Sequence, residues 1–131
     1  MILVDTSVWV DYFNGVESAQ TEYLDQCLLE ETVLIGDIIL TEILQGFASD
    51  KDFEQAKKAL DPLDCVRLGG KDLAVKAASN FRFLRSKGVT VRKTVDMLIG
   101  TWCIENEVEL LLRDKDFNHI AAVLPLQVYS G

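Results

Sequence analysis

Short unbroken apolar runs alternate along this chain with longer stretches in which apolar residues recur every three or four positions. Ile2, Leu3 and Val4 form the first run, a buried strand over 2–5 that ends on Asp5. Thr6 or Ser7 can cap a helix through Phe13, which Asn14 and Gly15 end. Tyr23, Leu24, Cys27 and Leu28 have helical spacing within 18–30. TVLI at 32–35 reads as a strand, and Asp37 can cap a helix over 38–48. A further helix covers 51–60 and stops at Pro62. A weak strand at 64–68 precedes a long helix over 71–87, with Leu73, Ala77, Phe81 and Leu84 inward and Gly88 at its end. Thr94 caps a helix over 95–106. A strand at 109–113, a short helix near 117–123 and a final strand in LQVYS complete the order.

Strands that alternate with helices and are apolar without alternation are the mark of a parallel sheet covered on both faces. The expectation is one three-layer α/β/α domain over residues 1–131, with a parallel central sheet and no linker or repeat. In such sheets the ligand site lies beyond the carboxyl ends of the strands. Asp5 stands there after the first strand, and Asp114 and Asp116 follow Leu110, Leu111 and Leu112 after the last long run. Asp96 falls in the first turn of a helix that is apolar nearly all round and is therefore expected to be buried and central. Glu42 lies at the margin of the broad apolar face formed by Ile39, Leu40, Ile43, Leu44 and Phe47. Each acid also has an ordinary role open to it. Asp5 could cap the next helix, Asp96 could complement a helix dipole, Glu42 could be a surface acid, and Asp114 or Asp116 could begin a turn.

Charge sharpens the picture. The 131 residues carry a net charge of −8, and residues 1–50 hold ten acids without a single Lys or Arg. So acidic a chain binds nucleic acid poorly unless a local basic patch or a bound cation intervenes. Residues 81–93, FRFLRSKGVTVRK, supply such a patch in Arg82, Arg85, Lys87, Arg92 and Lys93. It reads either as a solvated helix face and loop or as a phosphate rail beside Asp96. Phe81 and Leu84 read as core.

Four or five carboxylates in one cleft cannot all stay ionised without a cation. With oxygen donors alone, Mg²⁺ or Mn²⁺ is expected over Zn²⁺, and such sites act on phosphates. His119 is the single histidine; it excludes a two-histidine acid–base mechanism and reads as a helix-surface residue. No phosphate-binding G-x-x-x-x-G-K-[ST] loop is present, which argues against an ATPase. Cys27, Cys65 and Cys103, odd in number and widely spaced, fit neither a disulfide framework nor a zinc site. They suggest a reduced, cytoplasmic setting. No apolar run reaches the roughly 18 residues of a membrane helix, and no signal peptide is expected from the first residues.

The segments MILVDTSVWVDYF, TEILQGF and TVDMLIGTWCIENEVELLLRDKDFNHIA, in this order, resemble the PIN-domain ribonucleases, and among them the VapC-type toxins of toxin–antitoxin pairs. The resemblance runs from the first residue nearly to the last. It implies a PIN fold and Mg²⁺- or Mn²⁺-dependent endonucleolytic cleavage of RNA. By resemblance, Asp5, Glu42, Asp96 and Asp114 match the family's acidic quartet, Asp116 matches an additional acid, and Thr6 and Ser7 follow Asp5 where a hydroxyl commonly supports the first acid. Asp5, Asp96 and Asp114 are expected to hold the metal, with Asp116 and Glu42 completing the shell or orienting the attacking water. Which of Asp114 and Asp116 is a direct ligand stays open. The resemblance also implies a VapB-type antitoxin as partner, for which Trp9, Val10 and Phe13 could offer a groove unless they are core, and a homodimer.

Other readings compete. A haloacid-dehalogenase-like phosphatase needs a second Asp two positions after Asp5, where Ser7 stands. A receiver-like signalling domain needs an acidic pair after the first strand, which is absent. A PIN-domain RNA-processing nuclease without an antitoxin, and a non-catalytic acidic interaction module, remain as alternatives.

Overall fold

The computed structural model describes residues 1–113 and 117–129. Four strands, β1 (Ile2–Val4), β2 (Val33–Gly36), β3 (Asp64–Val66) and β4 (Glu109–Leu111), form one parallel sheet in the order β3-β2-β1-β4. Leu3 sits opposite Leu34 on one side and Leu110 on the other, which fixes the register at the sheet centre. Every residue of β1 and β2 is buried, as their unbroken apolar runs require in a sheet covered on both faces. Truncating fully buried Leu3 to Ala would cost about 2–5 kcal/mol. The edge strand β3 is largely exposed. Of the expected final strand in LQVYS, whose Ser130 lies outside the described residues, Val128 makes a parallel bridge to Leu110.

Parallel pairing demands crossovers, and here helices supply them. Between β1 and β2 lie α1 (Thr6–Phe13) and α2 (Ala19–Leu29); between β2 and β3 lie α3 (Asp37–Gln45) and α4 (Asp50–Leu60). Between β3 and β4 lie α5 (Lys71–Ser86) and α6 (Thr94–Asn106), and α7 (Asn118–Ala121) follows β4. Helix α1 packs on α2 and α3, and α5 packs on α6, so the arrangement is α/β/α with a parallel central sheet. Helix α6 is the buried one that its composition implies, with Met97, Ile99, Thr101 and Cys103 inside. Asn80 of α5 donates to the buried Thr101 hydroxyl at 3.1 Å, and burial pushes the Cys103 thiol up to about 12.

Helix starts differ from the sequence expectation in three places. Asp5, not Thr6 or Ser7, caps α1, its carboxylate accepting from the Ser7 amide. Lys93 occupies the cap position of α6 without a side-chain bond, and Thr94 is already helical. Asp37 lies inside α3, whose cap position is Gly36. Its Oδ1 accepts from the amides of Ile38 at 2.8 Å and Leu68 at 2.9 Å, tying α3 to the segment after β3. Gly36 is required there, because a Cβ would strike the Leu68 side chain. Helix α3 ends at Gln45, short of the expected 48, and β4 stops at Leu111.

Candidate active site

The carboxyl ends of β1 and β4 open into a cleft of about 430 Å³ lined by Asp5, Thr6, Ser7, Glu42, Lys93 and Asp96, with Leu112, Arg113 and Phe117 beside them. Three of the acids expected from the sequence thus meet, delivered by the β1–α1 junction, α3 and the first turn of α6. All three are half-buried. Asp114 and Asp116 lie outside the described residues.

Hydroxyl groups hold two of these acids in place. Ser7 donates to Asp5 Oδ2 twice, from Oγ at 2.7 Å and from its amide at 3.1 Å. The same Ser7 Oγ accepts from the Arg113 amide at 3.2 Å, which ties the end of β4 to the start of α1. The Asp5 amide donates to the Leu111 carbonyl at 2.8 Å, so both chain crossings at this corner converge on one acid. Thr6 Oγ1 donates to Glu42 Oε1 at 2.9 Å. The two adjacent hydroxyls therefore serve different acids: Ser7 supports Asp5, and Thr6 supports Glu42. The resemblance implies a hydroxyl here in support of Asp5; the structure shows that it is Ser7's.

Such bonds fix a carboxylate's rotamer and leave its second oxygen for a ligand. Among the described residues, no hydrogen bond engages Asp5 Oδ1 or Glu42 Oε2. Oxygen donors alone, without Cys or His, suit a hard divalent cation. Among the described residues no three acid, imidazole or thiol side chains are close enough to hold an ion unaided.

The basic patch separates into two parts. Arg92 and Lys93 border Asp96, and with Arg82 they line an apolar groove beside α5 and α6. Arg85 and Lys87 are elsewhere occupied: the guanidinium lies 5.5 Å from the Phe81 ring centroid and the ammonium 5.6 Å from that of Phe83. Phe81 is half-buried against the core and Leu84 is fully buried, as expected. Arg113 is a cleft residue that the sequence pattern does not single out. It lines the acid cleft and pairs with Asp11 at 3.0 Å; its position directly after the β4 run is the available signal. Trp9 is core, 2% exposed, and leaves Val10 exposed and Phe13 half-buried on α1.

Comparison with known proteins identifies the family. The PIN domain family matches residues 2–123. Ribonuclease VapC11 of Mycobacterium tuberculosis and VapC ribonuclease Mb1587 of Mycobacterium bovis are each 33% identical over 132 residues, covering 99% of this chain and 98% of theirs. Among solved structures, VapBC2 from Rickettsia felis, bound to a DNA fragment from its promoter, superposes with a TM-score of 0.77 at 17% identity, covering 98% of both chains. That likeness shows the same fold. The family match along nearly the whole chain and the full-length identity to two VapC ribonucleases show that this chain belongs to the PIN-domain family, in its VapC branch.

Proposed function

We infer that this chain is an endoribonuclease, the toxin of a type II toxin–antitoxin pair, which hydrolyses RNA in the cleft of Asp5, Glu42 and Asp96. The observation that carries this reading is the convergence of these acids from three separate segments on one cleft, in a chain of the VapC branch. Ribonucleases of this family depend in general on a divalent metal; for this chain the oxygen donors favour Mg²⁺ or Mn²⁺. Asp5, Asp96 and Asp114 would hold it, directly or through water, with Asp116 completing the shell. Once bound, it supplies charge neutralisation at the scissile phosphate and a more acidic water.

The chain's own residues do the rest. Ser7 keeps Asp5 in one rotamer, and Thr6 keeps Glu42 where it orients the attacking water. In-line attack leaves a 5′-phosphate and a 3′-hydroxyl. Arg82, Arg92 and Lys93 receive the RNA backbone, a role that Arg85 and Lys87 fill less directly because they lie over phenylalanine rings.

The partner proposed is a VapB-type antitoxin with basic residues, drawn to the ten acids of residues 1–50 and docking near Val10 and Phe13. A homodimer and a cytoplasmic setting complete the proposal; among the described residues no helix is long and apolar enough to cross a membrane. The test is cleavage of total cellular RNA by purified, antitoxin-free protein in Mn²⁺ or Mg²⁺ against EDTA, with Asp96→Asn alongside. Discrete metal-dependent products that vanish in the variant are expected. Folded protein that cuts nothing under either metal would overturn the reading.

A further inference from the structure

A second cleft of about 430 Å³ adjoins the acid cleft and shares Lys93, Asp96 and Phe117 with it. Buried Phe117 and Ile120 and half-buried Val91 give it an apolar base. Around them stand four exposed hydrogen-bond donors: Thr90, Arg92, Lys93 and His119. The first three come from the segment between α5 and α6, the last from α7 beyond β4. His119 is exposed, as its sequence context suggests, yet it borders a cleft and does not face open solvent alone.

Like most of the described Lys and Arg side chains, Arg92, Lys93 and His119 make no ion pair among the described residues; what sets them apart is that they line one cleft together. A guanidinium, an ammonium, a hydroxyl and an imidazole N–H gathered over an apolar base form a lining suited to a phosphate oxyanion. Asp96 stands on the border of both clefts. A strand with one phosphate at the acids would pass a neighbouring phosphate along these donors, because the two clefts adjoin.

We propose that this second cleft binds the phosphodiester adjacent to the scissile one in an RNA strand, and that His119 contacts that phosphate together with Thr90, Arg92 and Lys93. The proposal rests on the ribonuclease reading and extends it from a general basic surface to one subsite and one new residue. His119 touches a flanking phosphate and takes no part in bond breaking, so its loss acts on KM and spares kcat.

The test uses oligoribonucleotides in which one phosphate at a time is replaced by an uncharged methylphosphonate. With wild type, one position flanking the cut should raise KM. His119→Ala should raise KM for the unmodified strand roughly three- to tenfold, the scale of one ordinary hydrogen bond at an exposed site. Neutralising that flanking phosphate should then cost the variant less than it costs wild type. His119→Gln, which keeps a donor, should restore most of the affinity, and His119→Phe should not. An unchanged KM in His119→Ala would overturn the subsite, as would a fall in kcat alone. Rescue by Phe would do so too, because it would mean stacking on a base. Binding of the same strands in EDTA is measured in parallel. Position-specific, His119-dependent binding without cleavage would keep the subsite and remove the ribonuclease; cleavage without His119 dependence would do the reverse.

Discussion

Asp5 and Glu42 each receive a hydroxyl hydrogen bond, at 2.7 and 2.9 Å, from residues next to them or across the fold. Arg92, Lys93 and His119, around the neighbouring cleft, have no such partner among the described residues. The acids are half-buried and the bases exposed. On the proposed reading, this contrast suits what each group would bind. Carboxylates that are to hold a small cation lose affinity when their rotamers wander, so a network fixes them. Groups that are to meet a phosphate backbone gain from staying hydrated and unpaired until the strand arrives, because an internal ion pair would have to be broken first.

The largest effect should come from the acids themselves. Asp5→Asn and Asp96→Asn are expected to lower RNA cleavage by at least about a hundredfold, since metal assistance supplies several kcal/mol to the transition state. Gel assays of initial rate check this, and near-wild-type cleavage by either would end the assignment. EDTA should act as strongly as the substitutions.

Next come the hydroxyls. Ser7→Ala removes the Oγ bond to Asp5 and the acceptor for the Arg113 amide. It should cost about 10–100-fold in metal affinity or rate and about 1–3 kcal/mol in stability. Thr6→Val, which keeps the shape but not the bond to Glu42, should cost activity with little loss of stability. Metal titration and denaturant melts separate the two. If Thr6→Val and Ser7→Ala damage metal affinity equally, Glu42 belongs among the ligands; if only Ser7→Ala does, Glu42 acts on the water.

The basic side gives smaller effects. Arg92→Ala should lower the salt slope of RNA binding by about 0.7, the share of a single neutralised phosphate on a single strand, with kcat unchanged. Arg85→Ala should change binding less, because its guanidinium already lies over Phe81. Equal effects at Arg85 and Arg92 would restore a continuous rail over residues 81–93 and blur the contrast between the two parts of the patch.

The elements that can be read from sequence are those whose signal is local. Ile2–Val4 and Val33–Gly36 are buried strands because nothing in them could face water, and α6 is central because it has no polar face. The acid at the end of β1 follows from the rule that parallel sheets present their sites at carboxyl ends. The margin position of Glu42 follows from plotting α3 at helical spacing. The choice of cap is less legible. Asp5, Thr6 and Ser7 are all competent at the start of α1, and the backbone path out of β1 selects Asp5. The final strand is the opposite case, because LQVYS has the composition of a strand but, among the described residues, pairs with Leu110 through one bridge.

The amino-acid order by itself determined a parallel α/β domain, its acid-bearing strand end and the family to which it belongs. These rest on periodicity and on residues near one another in the chain. Tertiary structure alone decided that Thr6 serves Glu42 while Ser7 joins Asp5 to the Arg113 amide. It also decided that Asp37 braces Leu68, that Arg85 lies over Phe81 while Arg92 lines a cleft, and that His119 lines that cleft with Asp96. The physical reason is range. Hydrophobic spacing specifies which face of an element is buried, but a hydrogen bond needs two groups within about 3 Å. For residues far apart in the chain, that closeness arises only when the sheet and its crossovers have packed.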